Sequence, residues 1–209
     1  MFSKPILRLH KDYGVSLCVD ESGSMSGDRI LEAAKAAVLL AEVLNNCGIP
    51  FEIHGFNSTI QTYKTLNRPF NWAVKRNMEQ IMRSCYYGNG GATNDAYCVN
   101  KAVRSLKQNA QSSENIVMVI TDGSSNTTSS QLPVKDQQHL PKNIKHKTCY
   151  SDYRVEEEIN YAKQDMAVIG LGVKTDYVHK LYPQSAHIED VSTLATKVLE
   201  LVKRNIKRG

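Results

Sequence analysis

The sequence has no C-x-x-C pair, and its five cysteines (Cys18, Cys47, Cys85, Cys98 and Cys149) are an odd number. That leaves no pattern for a disulfide framework and points to free thiols in a reducing compartment. Cys18 lies in an apolar strand-like run and Cys98 in a helical apolar pattern, so both are expected in the core. The opening MFSKPILRLHKDYG lacks the long apolar centre of a signal peptide. No apolar stretch is long enough to cross a bilayer. The expectation is a cytoplasmic protein with no membrane contact. A strong charge of one sign is also missing. The 26 basic and 21 acidic residues give a net charge of +5, too mild for a nucleic-acid signature. Part of that excess is the terminal KRNIKRG. Cations there suit a helix C-terminus, with an acidic partner as the weaker alternative. There is no internal repeat and no linker. With 209 residues, 41% of them hydrophobic, the chain is expected to form one domain over residues 1–209 with a full core.

What is present is an alternation of strand-like and helix-like segments. GVSLCVD reads as a buried strand over Val15–Val19. In the following segment Ile30, Ala34, Ala37, Ala41 and Leu44 share one helical face, and Gly48 and Pro50 stop it. FEIHGF reads as a second strand, and TIQTY as an antiparallel edge strand made by a hairpin. WAVKRNMEQIMRSC predicts a helix carrying Trp72, Met78, Ile81, Met82 and Cys85. A glycine-rich loop, YYGNGGATN, precedes a helix with apolar residues at Ala96, Val99, Val103 and Leu106. NIVMVITDG is the clearest central strand. Residues 124–153 are rich in Ser, Thr, Asn, Gln and Pro and read as a long polar loop or lid. A helix, the strand DMAVIGLGV, a short helix, a weak strand SAHIEDV and a final amphipathic helix follow, the last with Ser192 as its N-cap. This alternation implies an α/β fold with a mostly parallel sheet covered on both faces.

In an open α/β sheet, ligands gather at the carboxyl ends of the strands. Three polar clusters fall there. Asp20, Ser22 and Ser24 follow the first strand at alternate positions, and would point the same way if the chain stayed extended. Asp122 follows the IVMVI strand, and Thr93, Asn94 and Asp95 sit in the glycine-rich loop. Two carboxylates with several hydroxyls, and no His or Cys, suit a hard cation that retains waters. Each cluster alone is also what an N-cap or turn produces. The joint pattern, in order and at strand ends, is much harder to obtain by chance. Enzymatic patterns fail on their letters. The second aspartate of an aspartyl-phosphate site is replaced by Ser22. GSMSG puts Met25 where a hydrolase elbow needs serine. GNGGATN lacks a P-loop lysine. No histidine is placed to activate Ser24, and His54, in a strand, is expected to be structural. His139, His146 and Cys149 read as scattered loop residues rather than a second metal site.

DESGS resembles the D-x-S-x-S motif of von Willebrand factor type A domains. With a later Thr and a later Asp, that motif makes the family's metal-ion-dependent adhesion site. The resemblance covers nearly the whole chain. It implies a doubly wound, six-stranded sheet with one antiparallel edge strand. It also implies a metal site of Asp20, Ser22, Ser24, Thr93 and Asp122, holding Mg2+, with Mn2+ or Ca2+ as alternatives. Asp95 stands where the family usually has a second threonine and is an additional candidate ligand. The first motif with its helix, VMVITDGSS with the polar insertion, and VIGLGVKTDYVHKLYPQSAHIEDVSTLATKV are similar to the C-terminal A domain of the cobaltochelatase subunit CobT. That similarity implies a stand-alone CobT-like protein, of a kind also found in phage, whose partner is an AAA+ ATPase of the MoxR or CobS type. The expected function is a non-enzymatic, metal-dependent protein–protein interaction module. The alternatives are a chelatase subunit acting in metal insertion into a tetrapyrrole during cobalamin biosynthesis, and a structural or adhesion component of a virion.

Overall fold

The computed structural model describes residues 13–87, 93–123 and 152–190, together with Leu194 and Lys197. In chain order the elements are β1 (Tyr13–Asp20), a 3-10 turn (Gly23–Met25), α1 (Asp28–Asn46), β2 (Phe51–Phe56), β3 (Ile60–Lys64), α2 (Trp72–Met78), α3 (Gln80–Tyr87), α4 (Asp95–Asn109), β4 (Glu114–Thr121), α5 (Asp152–Ala162), β5 (Met166–Val173), α6 (Val178–Leu181) and β6 (Gln184–Ile188). The six strands form one sheet in the order β3-β2-β1-β4-β5-β6. All neighbours are parallel except β3, which runs antiparallel to β2 at the edge. The expected doubly wound α/β sheet is thus present. The order reverses at β1, whose neighbours are β2 on one side and β4 on the other. A crevice opens there at the strands' carboxyl ends.

Both faces of the sheet are covered, which explains the continuous apolar runs. Leu17, Val19, Met118, Ile120, Ile169 and Leu171 pack on the α1 and α3 side. The intervening Cys18, Val117, Val119 and Val168 pack against α4, α5 and α6. Helix α1 buries Ile30, Ala34, Ala37, Ala41 and Leu44 as its spacing predicts. Its end is a Schellman turn: the Ile49 N–H donates to Leu44 O (2.9 Å) and the Gly48 N–H to Asn45 O (3.1 Å), with Gly48 at φ +68.

The predicted WAVKRNMEQIMRSC helix is two helices. The Asn71 side chain caps the first by accepting from the Val74 N–H (3.2 Å), and the chain tightens at Glu79 before α3 begins. Trp72, placed in the apolar pattern by sequence, is 71% exposed; Val74 and Met78 fill the core instead. Helix α5 starts at Asp152, at the edge of the predicted polar loop. The rest of that loop, with His139, His146 and Cys149, lies outside the described residues, as do the glycines of YYGNGGATN and Ser192. Leu194 is buried in the α1-side core, and Lys197 Nζ donates to His187 O (2.6 Å). No described helix is long and apolar enough to cross a membrane.

Candidate metal centre

Strand β1 is central and ends in Asp20, in register with Phe56 of β2. The Glu21 N–H then donates to Phe56 O (2.7 Å), which holds the chain against β2 for one more residue. Beyond Ser22 the extended conformation stops. Gly23–Met25 turn as a 3-10 helix because fully buried Met25 is drawn into the core. Asp20, Ser22 and Ser24 therefore do not lie along one extended face. The turn still brings Ser22 Oγ and Ser24 Oγ to 3.0 Å.

Asp20 is fully buried. Its Oδ1 accepts from the Ser22 N–H (2.9 Å), and its Oδ2 from the Thr121 hydroxyl (2.7 Å). Thr121 Oγ1 accepts in turn from the Gly123 N–H (3.0 Å). Burial pushes the Asp20 carboxyl up to about 7; the bonds from Thr121 and Ser22 oppose this, and the charge of Asp122 adds to it. The Asp122 side chain is only 8% exposed, and its Oδ2 lies 3.6 Å from Arg29 Nη1. The same guanidinium nitrogen donates to Ser24 O (3.1 Å). Asp122 Oδ1 is buried with no hydrogen-bond partner.

Thr93 is buried two residues ahead of α4, and the Asn94 side chain caps that helix by accepting from the Tyr97 N–H (3.3 Å). Asp95 is fully buried. It accepts from the Ala96 N–H (3.0 Å) and faces the Tyr182 hydroxyl (3.4 Å). The structure thus gathers Asp20, Ser22, Ser24 and Asp122 at one strand-end crevice, sets Thr93 at the start of α4, and gives Asp95 a partner on the α6 side.

Four further residues shape the crevice. Glu21, which is not among the residues predicted from sequence, is only 2% exposed. It accepts from the Tyr63 hydroxyl (2.7 Å) and from the Ser84 side chain. Burial pushes it up to about 7. Its space exists because Gly55 lacks a Cβ, which would lie 1.8 Å from Glu21 Oε1. Cys85 donates its thiol to Ser22 O (3.3 Å), and burial raises that thiol to about 11. Thr121 and Arg29 complete the group. Thr121 carries a signal that parity could have found: it shares the sheet face of Val117 and Val119.

An oxygen-only set of this kind can hold a hard divalent cation. Two nearby buried carboxylates repel one another, and one of their oxygens has no partner. A cation relieves both costs. Among the described residues, no group of three or more His, Cys, Asp or Glu side chains comes together to hold a metal. Hydroxyls would therefore supply most of the protein ligands.

A doubly wound sheet with a polar crevice where its strand order reverses defines a class of α/β binding domains. Within that class the chain belongs to the von Willebrand factor type A domain family, whose profile matches residues 15–199. A comparison with curated proteins gave no match. Among solved structures, the pilus adhesin SpaC from Lactobacillus rhamnosus GG aligns at TM-score 0.62 and 14% identity, over 92% of this chain and 30% of that one. The chain thus spans under a third of that adhesin. The von Willebrand factor domain of the type V pili tip protein Mfa5 from Porphyromonas gingivalis aligns at TM-score 0.62 and 9% identity, covering 93% of this chain and 95% of that one. BatB from Bacteroides thetaiotaomicron, described as a conserved hypothetical protein, aligns at TM-score 0.61 and 15% identity, covering 91% and 99%. At these identities the likeness is one of fold.

Proposed function

We propose that the chain is a non-enzymatic interaction module whose partner is recognised through a divalent cation. Asp20, Ser22, Ser24, Thr93 and Asp122 would hold the ion, Mg2+ by preference, with Mn2+ or Ca2+ as alternatives. When bound, the ion supplies an open coordination position for a carboxylate from outside. The partner's Asp or Glu would complete the shell, with binding energy from a charge-assisted contact in a partly desolvated crevice. The observation that carries this reading is the buried Asp20–Asp122 pair with its unpartnered Oδ1. Hydroxyl ligands keep the set's charge low, so the ion stays electrophilic toward one more acid. The expected partner is an AAA+ ATPase of the MoxR or CobS kind. Among the described residues, Cys18, Cys47, Cys85 and Cys98 are free thiols, which supports a reducing, cytoplasmic setting.

The test is a pull-down from the native source with tagged protein, in Mg2+ and again in EDTA, with bound proteins identified by mass spectrometry. An ATPase captured only with Mg2+, and lost in a folded Asp20→Ala variant, is expected. Capture that ignores both EDTA and Asp20→Ala overturns the metal bridge. The chelatase-subunit alternative shares this site and ATPase class. It separates by requiring metal insertion into a tetrapyrrole when the other subunits are added. A second reading, adhesion, is favoured by the pilus adhesin and minor pilin among the structural neighbours. Metal-dependent capture of a structural or surface protein in place of an ATPase would select it.

A further inference from the structure

Three exposed arginines line one concavity. A concavity of about 540 Å3 between α2 and α3 is lined by Arg68, Arg76 and Arg83, with Asn77, Gln80 and a single carboxylate, Glu79. All three arginines are exposed, and none forms an ion pair with a described residue. The neighbouring cation Lys75 is different: it is neutralised by Glu42 at 2.5 Å. The Arg76 guanidinium lies over the Trp72 ring, 5.3 Å from its centroid, and Trp72 is the most exposed large apolar side chain described, at 71%. Exposed Trp beside unpaired Arg is the composition of protein-binding hot spots. The position matters as well. Arg83 directly precedes Ser84 and Cys85, which contact Glu21 and Ser22 of the first ligand loop. The concavity and the contacts to that loop thus share helix α3.

We propose that this arginine-lined concavity docks an acidic protein segment, whose carboxylates pair with Arg68, Arg76 and Arg83. The proposal rests on the arginines and stands apart from the metal-bridge reading. Guanidinium groups take carboxylates in bidentate pairs. Glu79, among the arginines, opposes a continuous phosphate backbone but leaves room for a peptide with spaced acids. That favours an acidic protein over a nucleic acid.

The experiment uses fluorescence anisotropy with a short fluorescein-labelled polyglutamate peptide, in EDTA and in Mg2+. In EDTA the wild type is expected to bind. An Arg76→Glu/Arg83→Glu variant, confirmed folded by circular dichroism, should bind about tenfold more weakly or less. Lys180→Glu, a surface charge reversal on α6, should leave the affinity unchanged. Equal binding by the double variant, or an equal loss in Lys180→Glu, overturns the proposal. So does tighter binding of an oligothymidylate of matched charge. The Mg2+ arm reads the metal bridge separately: a gain on adding Mg2+ that persists in the arginine variant supports it. Absence of that gain sinks the bridge and leaves the arginine site standing.

Discussion

Lys64 brings a positive charge into the edge of the sheet. The residue is only 3% exposed, and its Nζ donates to Phe51 O (2.5 Å) and Thr65 O (3.2 Å). Burial lowers its ammonium to about 8, partly opposed by Glu52, against 10.5 for the free side chain. Between those values the unfolded chain binds more protons than the folded one, so the Lys64 contribution to stability rises with pH across that window. Below about 8 the buried charge is a cost. Urea denaturation of wild type and Lys64→Met at about pH 7 and about pH 10 should show wild type gaining on the variant as pH rises. A constant difference would refute the shift. Lys64 was not legible in the sequence, and neither was Glu21. A lone acidic or basic letter in an edge strand or just past a strand end normally faces water, and only Gly55, Tyr63 and the Phe51 carbonyl make burial tolerable. The strand-end placement of Asp20 and Asp122 was legible because an acid ending an apolar run marks a strand end. Asp95 shows the limit of reasoning by position, since its partner, Tyr182, is distant in sequence.

At the scale of the element, α1 shows sequence and structure in close agreement. The stop at Gly48 is a left-handed residue, φ +68, with open space where a Cβ would stand. Gly48→Ala therefore isolates the conformational cost. It should lower stability by about 1 kcal/mol, read as a lower urea midpoint at unchanged slope. Gly48→Asn should cost less, because Asn tolerates that region. The strands β1, β4 and β5 were legible because strands buried on both faces are mostly apolar along their length, whereas β2 buries Glu52 and His54 as a pair. The break between α2 and α3 was not. No Pro or Gly marks Glu79, and the helical period runs through it unbroken. Trp72 misled for a related reason: at the first residue of α2 it lies beyond the part of the helix that reaches the sheet.

At the scale of the molecule, alternation of elements implied a parallel sheet, and the family resemblance added six strands with an antiparallel edge; the strand order itself came only with the structure. Local periodicity carries no information on which side of β1 a later strand will join. That order sets β1 beside β4, and so brings Asp20 and Asp122 from opposite ends of the first 122 residues into one crevice. If the crevice holds a cation, folding and metal binding are linked. Saturating Mg2+ should raise the melting temperature by about 5 °C over an EDTA-treated sample. Asp122→Asn should shrink that rise. An unchanged melting temperature in Mg2+, Mn2+ and Ca2+ would argue against a cation site.

The bonds around Asp20 set a further condition. The first ligand loop is braced on one side by the Glu21 N–H on Phe56 O and on the other by the Thr121 hydroxyl on Asp20. Its conformational freedom is lost when the sheet folds, before any ion or partner arrives. Association then has little ordering entropy left to overcome at that loop. A braced loop also cannot contract around a smaller ion or widen for a larger one, so if a metal binds there, its radius and hydration, rather than loop adaptation, would decide which one fits.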